Sequence, residues 1–317
     1  MVDLRAALPV TAFLAGGPSR VNPEFRYPAL CAAEPFDRVI LSPNGRIGQK
    51  GAVDFFAGPT STELYRLVSW SGPEAFADEG NTTPSPVNVD VLELDRPVRE
   101  LWVSARFRSE DEDSGIHRLG VTLFRSPEES KGISDKPVGG VGKLSPVALP
   151  VEFVSQFAEG SADDASLCCP TSAVMALRFR GVHIDVGEFV QRAFDRRHRI
   201  HGNWSLTAAA MSSFGMKAWV QKHTSVAELH SALCCGHPVI ASISFGPGEL
   251  PGAPIERSNG HVLVVRGFDE RGDVLVNDPA GRIAAAGQLS YDRSAFARAW
   301  LGHGGIAIHA VPEEQET

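Results

Sequence analysis

Residues 166–179 read SLCCPTSAVMALRF: two adjacent cysteines, a proline, two hydroxyl residues and then an apolar run. The apolar side chains recur at helical spacing, Pro170 suits a first helical position and Gly181 a stop, so a helix is predicted over 170–181. Cys168 and Cys169 would then lie just ahead of the positive end of a helix dipole. A catalytic cysteine must be partly thiolate at neutral pH, and a helix start beside a histidine depresses its pKa most readily. A second reading stays open at this point. Cysteine is among the most buried residue types, and both thiols would then be packing residues.

Candidate partners lie about a hundred residues on. His261 stands in NGHVLVVRGF (259–268) and Asp278 in VLVNDPAG (274–281), two strand-like runs joined by the turn DERGD (269–273). An even-length hairpin centred on Glu270 and Arg271 sets Asp278 opposite Leu263, on the same face as His261 and diagonal to it. A carboxylate there would accept the imidazole Nδ1–H and leave Nε2 to take the thiol proton. An odd-length loop or a bulge would upset that register. Taken singly, His261 reads as a satisfied strand histidine and Asp278 as a turn residue before Pro279. Taken jointly, a helix-start cysteine, a strand histidine and a next-strand aspartate follow the chain order of papain-type enzymes.

The surrounding sequence mixes helices and strands. VGEFVQRAFDRR (186–197), SLTAAAMSSFG (205–215) and SVAELHSALCCG (225–236) read as helices, the last with Ser225 as cap and Glu228 three positions on. HPVIASISF (237–245) reads as a further strand. The loop SFGPGELPGAPIERSN (244–259) reads either as a flap over a cleft or as an ordered surface loop. The first half is β-rich: ELWVSARF (100–107) and HRLGVTLF (117–124) alternate with the period of half-buried strands, and VNVDVLEL (87–94) precedes both. Turn-rich stretches such as residues 71–86 separate these runs, the punctuation of a sandwich. Residues 126–148 have linker composition. Within them GGVGKLS (139–145) fails as a phosphate loop, because Pro137 replaces the first glycine and Leu144 the magnesium-binding hydroxyl. The chain is thus divided into an N-terminal segment (1–30), a sandwich-like β-rich domain (31–126), a linker (127–148) and an α+β domain (149–317).

Composition narrows the classes. The 317 residues are 43% apolar and 21% charged with net charge −8, the balance of a globular protein. No basic stripe suggests nucleic acid as a partner, and no apolar run reaches the roughly 18 residues of a membrane span. The five cysteines do not form a disulfide pattern, which fits a reduced compartment. A zinc site from paired cysteines is disfavoured, since adjacent residues do not comfortably reach one tetrahedral ion.

The second half resembles bacterial peptidases of the C39-like family, which have papain-like cysteine peptidase folds. The resemblance rests on PVEFVSQF (150–157), CCPTSAVMALRF (168–179), HGNWSLTAAAMSSFGMKAWV (201–220), LCCGHPVIASISFGPGELPGAP (233–254), NGHVLVVRGFDERGDVLVNDPAG (259–281) and YDRSAFARAWLGHGGIAIHAV (291–311). It implies that Cys168 is the nucleophile, His261 the general base and Asp278 the residue orienting it. Gln156 would donate its amide to the developing oxyanion together with the Cys168 N–H. Cys169 departs from the family, which usually has Gly or Ser there, and offers a second thiol and redox partner. Trp204 of GNW, Cys169 and Asn277 are taken as cleft candidates, while Cys234 and Cys235 are left as packing residues.

The implied activity is a thiol hydrolase cleaving a peptide or amide bond through a thioester, with peptide or protein substrates and no metal or organic cofactor. Acyl transfer is a close variant, and an inactive scaffold binding through its β-rich domain is the alternative. FDRVILSPNG (36–45) and YRLVSWSG (65–72) resemble, more loosely, the β-rich region preceding such domains. The first 25 residues carry Asp3, Arg5 and only a Pro-broken apolar run, a weak export signal, so the mature chain is read as starting near Met1. That favours the cytoplasm, with export the alternative because relatives are often exported.

Overall fold

The computed structural model describes residues 1–19, 21–75, 86–109, 111–126, 144–157 and 166–313. Much of the turn-rich stretch 71–86, residues 127–143 of the linker and most of GGVGKLS lie outside them. The chain forms two compact units, Met1–Gly132 with Gln191–Val220, and Ile133–Val190 with Gln221–Thr317. Both are built on sheets whose described ladders are antiparallel except for one edge pair, so the chain mixes helix with predominantly antiparallel strand.

The elements of the first half are β1 (Val2–Leu4), β2 (Val10–Ala15), β3 (Glu24–Arg26), β4 (Leu30–Arg46), β5 (Ala52–Gly58), β6 (Tyr65–Ser71), β7 (Val87–Asn88), β8 (Val91–Ser109) and β9 (Gly115–Phe124). The second half runs β10 (Val147–Ala148), α1 (Cys168–Phe179), α2 (Val186–Ala193), α3 (Trp204–Ser212), β11 (Met216–Lys222), α4 (Val226–Cys234) and β12 (Val239–Phe245). It ends with β13 (Ser258–Phe268), β14 (Val274–Asn277), α5 (Ala284–Gly287), β15 (Gln288–Tyr291), α6 (Arg293–Leu301) and β16 (Ile306–Pro312).

In the first unit the strands order β2-β9-β4-β8-β5-β6, with β1 parallel to β4 and with β3 and β7 on β8. The alternation read in ELWVSARF is realised: Leu101, Val103, Ala105 and Phe107 are buried in the core, with Trp102, Ser104 and Arg106 between them more exposed. Leu206 and Ala209 of α3 join the same core. Asp90 sits at the start of α3, where its Oδ2 accepts the N–H groups of Trp204 (2.6 Å) and Ser205 (3.2 Å). Burial outweighs those donors and pushes its carboxyl up to about 6.

The second sheet runs β11-β16-β12-β13-β14-β15, with β10 on β13. Leu229 and Leu233 of α4 and Phe296 and Trp300 of α6 share a core with Ala241, Ile243, Leu263 and Val265 of the central strands. The loop before His261 packs on this unit. Leu250 is buried in that core, and Glu249 closes a turn by accepting the Gly246 N–H at 2.6 Å.

The helix limits differ from the sequence reading by a few residues, as in α3 and α4, which end at Ser212 and Cys234, and two of the differences have a local cause. Helix α1 begins at Cys168, so Pro170 is its third residue, within the first turn whose N–H groups lack intrahelical acceptors in any case. Helix α2 stops at Ala193 instead of Arg197. Asp195 takes over the chain beyond it, its Oδ1 accepting the N–H groups of Arg197 and His198, each at 3.0 Å.

Candidate active site

Helix α1 starts with the thiol. Thr171 N–H closes the first helical bond on Leu167 O at 3.0 Å, so the N–H groups of Cys168, Cys169 and Leu167 precede the ladder. Cys168 and Cys169 are both buried, and none of the five cysteines is in a disulfide. α1 lies along β13, fastened by Ser172 Oγ donating to Val262 O at 3.2 Å. The residue beside Val262 is His261.

The β13–β14 hairpin brings Asp278 to His261 by a route other than the expected one. Its loop has three residues, Glu270–Gly272, closed by Asp269 N–H on Asp273 O (3.0 Å) and Gly272 N–H on Asp269 O (2.9 Å). Gly272 has φ of +83°, as this loop type requires. The odd loop pairs Phe268 with Val274 and Gly267 with Leu275, and a bulge at Arg266 then shifts the register so that Val264 faces Asn277. Continued by one residue, that ladder sets Asp278 opposite Leu263. The odd loop and the bulge are the two disturbances that would each have broken the expected register, and together they cancel.

His261 Nε2 donates to Asp278 Oδ1 at 2.7 Å, with both side chains buried. The imidazole is therefore turned the opposite way from the sequence expectation: Nε2 serves the carboxylate, and Nδ1 is left for the thiol. A carboxylate diagonal to His261 on the neighbouring strand can meet either ring nitrogen, so the difference lies in the orientation of the ring and not in the strand pairing. Asp278 has two further donors, the Ala280 N–H on Oδ1 at 3.0 Å and the Tyr291 hydroxyl on Oδ2 at 2.8 Å. Its own N–H is held by Gly287 O at 2.8 Å.

The charges reinforce one another. Burial opposes a thiolate at Cys168, yet its hydrogen bond to His261, the imidazolium charge and the Val262 and Cys169 N–H groups hold the thiol below its ordinary range. Burial alone would push His261 down. The charge and hydrogen bond of Asp278, with a contribution from Cys168, instead push it up to about 10. Asp278 is held below the usual carboxylate range, burial being outweighed by His261, Tyr291 and the Ala280 N–H. These shifts favour a thiolate beside an imidazolium.

Gln156 is buried, and its backbone N–H donates to Pro279 O at 2.9 Å, next to Asp278 in the chain. Asn277 is fully buried, its amide donating to Val151 O at 3.0 Å and to Met175 Sδ at 3.7 Å. It thereby ties the segment that leads to Gln156 to β14 and to α1. Trp204 belongs to the first unit, where it opens α3. Cys234 and Cys235 are exposed and not packing residues, because they sit on the outer side where α4 ends. Tyr291 carried no role in the sequence reading. Only the pairing of Val274 with Tyr291 across β14 and β15 brings its hydroxyl toward Asp278. Among the described residues no group of three or more His, Cys, Asp or Glu is placed to hold a metal ion, and no helix is long and apolar enough to cross a membrane.

A buried thiol at a helix start, hydrogen-bonded to a strand histidine that a neighbouring carboxylate holds, is an arrangement characteristic of cysteine-peptidase-like domains. The chain belongs to the Peptidase_C39 like family, whose model matches residues 148–308, about half its length. No curated protein matches it.

Proposed function

We propose that the second unit is a thiol hydrolase of papain-like fold that cleaves a peptide or amide bond with Cys168, His261 and Asp278. The first unit, whose β8 pairs with β4 along its first half and with β5 along its second, is read as its sandwich-like companion. The observation that carries the proposal is the unbroken series from the Cys168 thiol through His261 to Asp278, with the thiol lowered and the imidazole raised.

The Cys168 sulfur attacks the carbonyl carbon, and the C=O pair moves onto oxygen, where the Gln156 amide and the Cys168 N–H donate to it. Collapse expels the amine, which takes its proton from His261 Nδ1, and leaves a thioester on Cys168. His261 then removes a proton from water, the hydroxide adds to the thioester carbon and expels the Cys168 thiolate, and the acid product departs, leaving the thiolate beside the protonated His261. Asp278 keeps the imidazole in place and stabilises its protonated form throughout. No step requires a cofactor. An amine in place of water would convert the same cycle into acyl transfer. Substrates are peptides or proteins.

The test is alkylation of the native protein by a limiting thiol reagent from pH 4 to 9, with the modified cysteine mapped by mass spectrometry. Cys168 should react well below an ordinary thiol pKa of about 8.5, and His261→Ala should abolish that advantage. Peptide hydrolysis should vanish in Cys168→Ser. An ordinary profile at Cys168, indifferent to His261, would sink the proposal.

A further inference from the structure

Asp278 is ionised at a place water does not reach, so its oxygens must be satisfied by protein donors. Oδ1 takes two, the His261 Nε2–H at 2.7 Å and the Ala280 N–H at 3.0 Å. Oδ2 takes the Tyr291 hydroxyl at 2.8 Å. Tyr291 is 1% exposed and Asp278 0%, so no solvent molecule can stand in for that hydroxyl without rearrangement. The backbone around it is held as well. Tyr291 ends β15, whose ladder against β14 fixes it through the pairs Val276–Leu289, Leu275–Ser290 and Val274–Tyr291. Asp292, the next residue, caps α6 by accepting the Ala295 N–H at 2.8 Å. The backbone that carries the phenol is thus held by a strand ladder on one side and a helix start on the other.

From this geometry we infer that Tyr291 is a positioning residue that sets the charge state of the catalytic series by stabilising the Asp278 carboxylate, and so extends the pH range over which Cys168 is a thiolate. The inference rests on the proposed hydrolase reading. A carboxylate deprived of the phenol holds its charge less well and draws the Nε2 proton harder. The imidazolium then offers less of its positive character to the thiolate through Nδ1. With less positive charge facing it, the sulfur takes up a proton at a higher pH. A packing role alone would give no such coupling, because phenylalanine fills the same space without donating.

The experiment compares the pH profile of Cys168 alkylation in the full chain, the Tyr291→Phe variant, the Asp278→Asn variant and the double variant. Tyr291→Phe is expected to move the acid limb upward by about one pH unit, the size of a charge-assisted hydrogen bond, while leaving the plateau rate close to that of the native chain. In the Asp278→Asn background the same substitution is expected to move nothing further, since the group it acts through has lost its charge. A depressed native limb that Tyr291→Phe leaves in place overturns this inference alone. So does a fall in rate at every pH with the limb unmoved, or a shift of equal size in the Asp278→Asn background. A native limb at the ordinary thiol position overturns the hydrolase reading, and this inference with it.

Discussion

Gly287 should be intolerant of a single added methyl group, for a reason that can be separated from backbone strain. A Cβ on Gly287 would lie 2.0 Å from Phe153 Cε2, 2.4 Å from Phe153 Cζ and 2.8 Å from Asp278 O. Carbon atoms in contact prefer roughly 3.5–4 Å, so the Phe153 ring edge has to retreat by about 1.5 Å. Phe153 sits three residues before Gln156, and Gly287 O is the acceptor for the Asp278 N–H, so the displacement reaches both sides of the site. Overpacking of this kind costs about 1–3 kcal/mol. At roughly 2–4 °C per kcal/mol for a domain of about 150–250 residues, Gly287→Ala should lower Tm by about 2–12 °C. Thermal unfolding of four proteins decides it: native, Gly287→Ala, Phe153→Ala and the double variant. Because the ring is the softer obstacle, removing it should at least halve the penalty of Gly287→Ala. Gly281→Ala is the contrast. Its Cβ would meet Gly287 Cα and N, each at 2.5 Å, and Ala286 C at 2.6 Å, all of them backbone. Phe153→Ala should give it no relief. Equal penalties at the two glycines, with no coupling of either to Phe153, would refute the reasoning.

Two further outcomes follow from buried polar groups. Asn277→Ala should destabilise by about 1–3 kcal/mol, because the Val151 carbonyl loses its donor in a dry place, and a denaturation midpoint that does not move would contradict this. The second concerns His309, whose Nε2 lies 2.8 Å from His223 Nε2, while His223 Nδ1 meets Glu228 Oε2 at 3.0 Å. Burial first, then the neighbouring His223 and His237, push His309 down to about 3, while its unfolded value is about 6.5. A buried neutral histidine gives stability that is present above the unfolded pKa and lost as pH falls from about 6.5 toward 3, because the unfolded chain binds the extra proton there. Replacing it with a group that cannot titrate, His309→Gln, should remove up to about 1.4 kcal/mol per pH unit from the stability slope between pH 6 and 4.5. Urea titrations across that range would show an unchanged slope if His309 does not carry it.

What the sequence could reveal of this site was its residue types and their order; what it could not reveal was how each was turned. Cys168, His261 and Asp278 stand out as candidates because a helix start and two short apolar strand runs are local features of the sequence. The register between the strands is reached through a compensation that local reasoning does not see: Arg266 and Gly267 follow the continuous apolar run Val262–Val265, which offers no alternation against which a bulge would show, while Asp269 and Gly272 suit loops of either length. Which imidazole nitrogen faces the carboxylate is not fixed by the strand pairing, so the two side chains meet with the ring turned opposite to the expectation. The same cause hid Tyr291, whose role exists only once β15 is laid against β14. It also separated Trp204 from the sequence around it, for α3 starts under a carboxylate 114 positions earlier in the chain. Chemistry that depends on which residues are present was legible. Chemistry that depends on the second donor to a buried charge was not, because that donor is chosen by packing, and packing is written across the whole chain rather than in any one stretch of it.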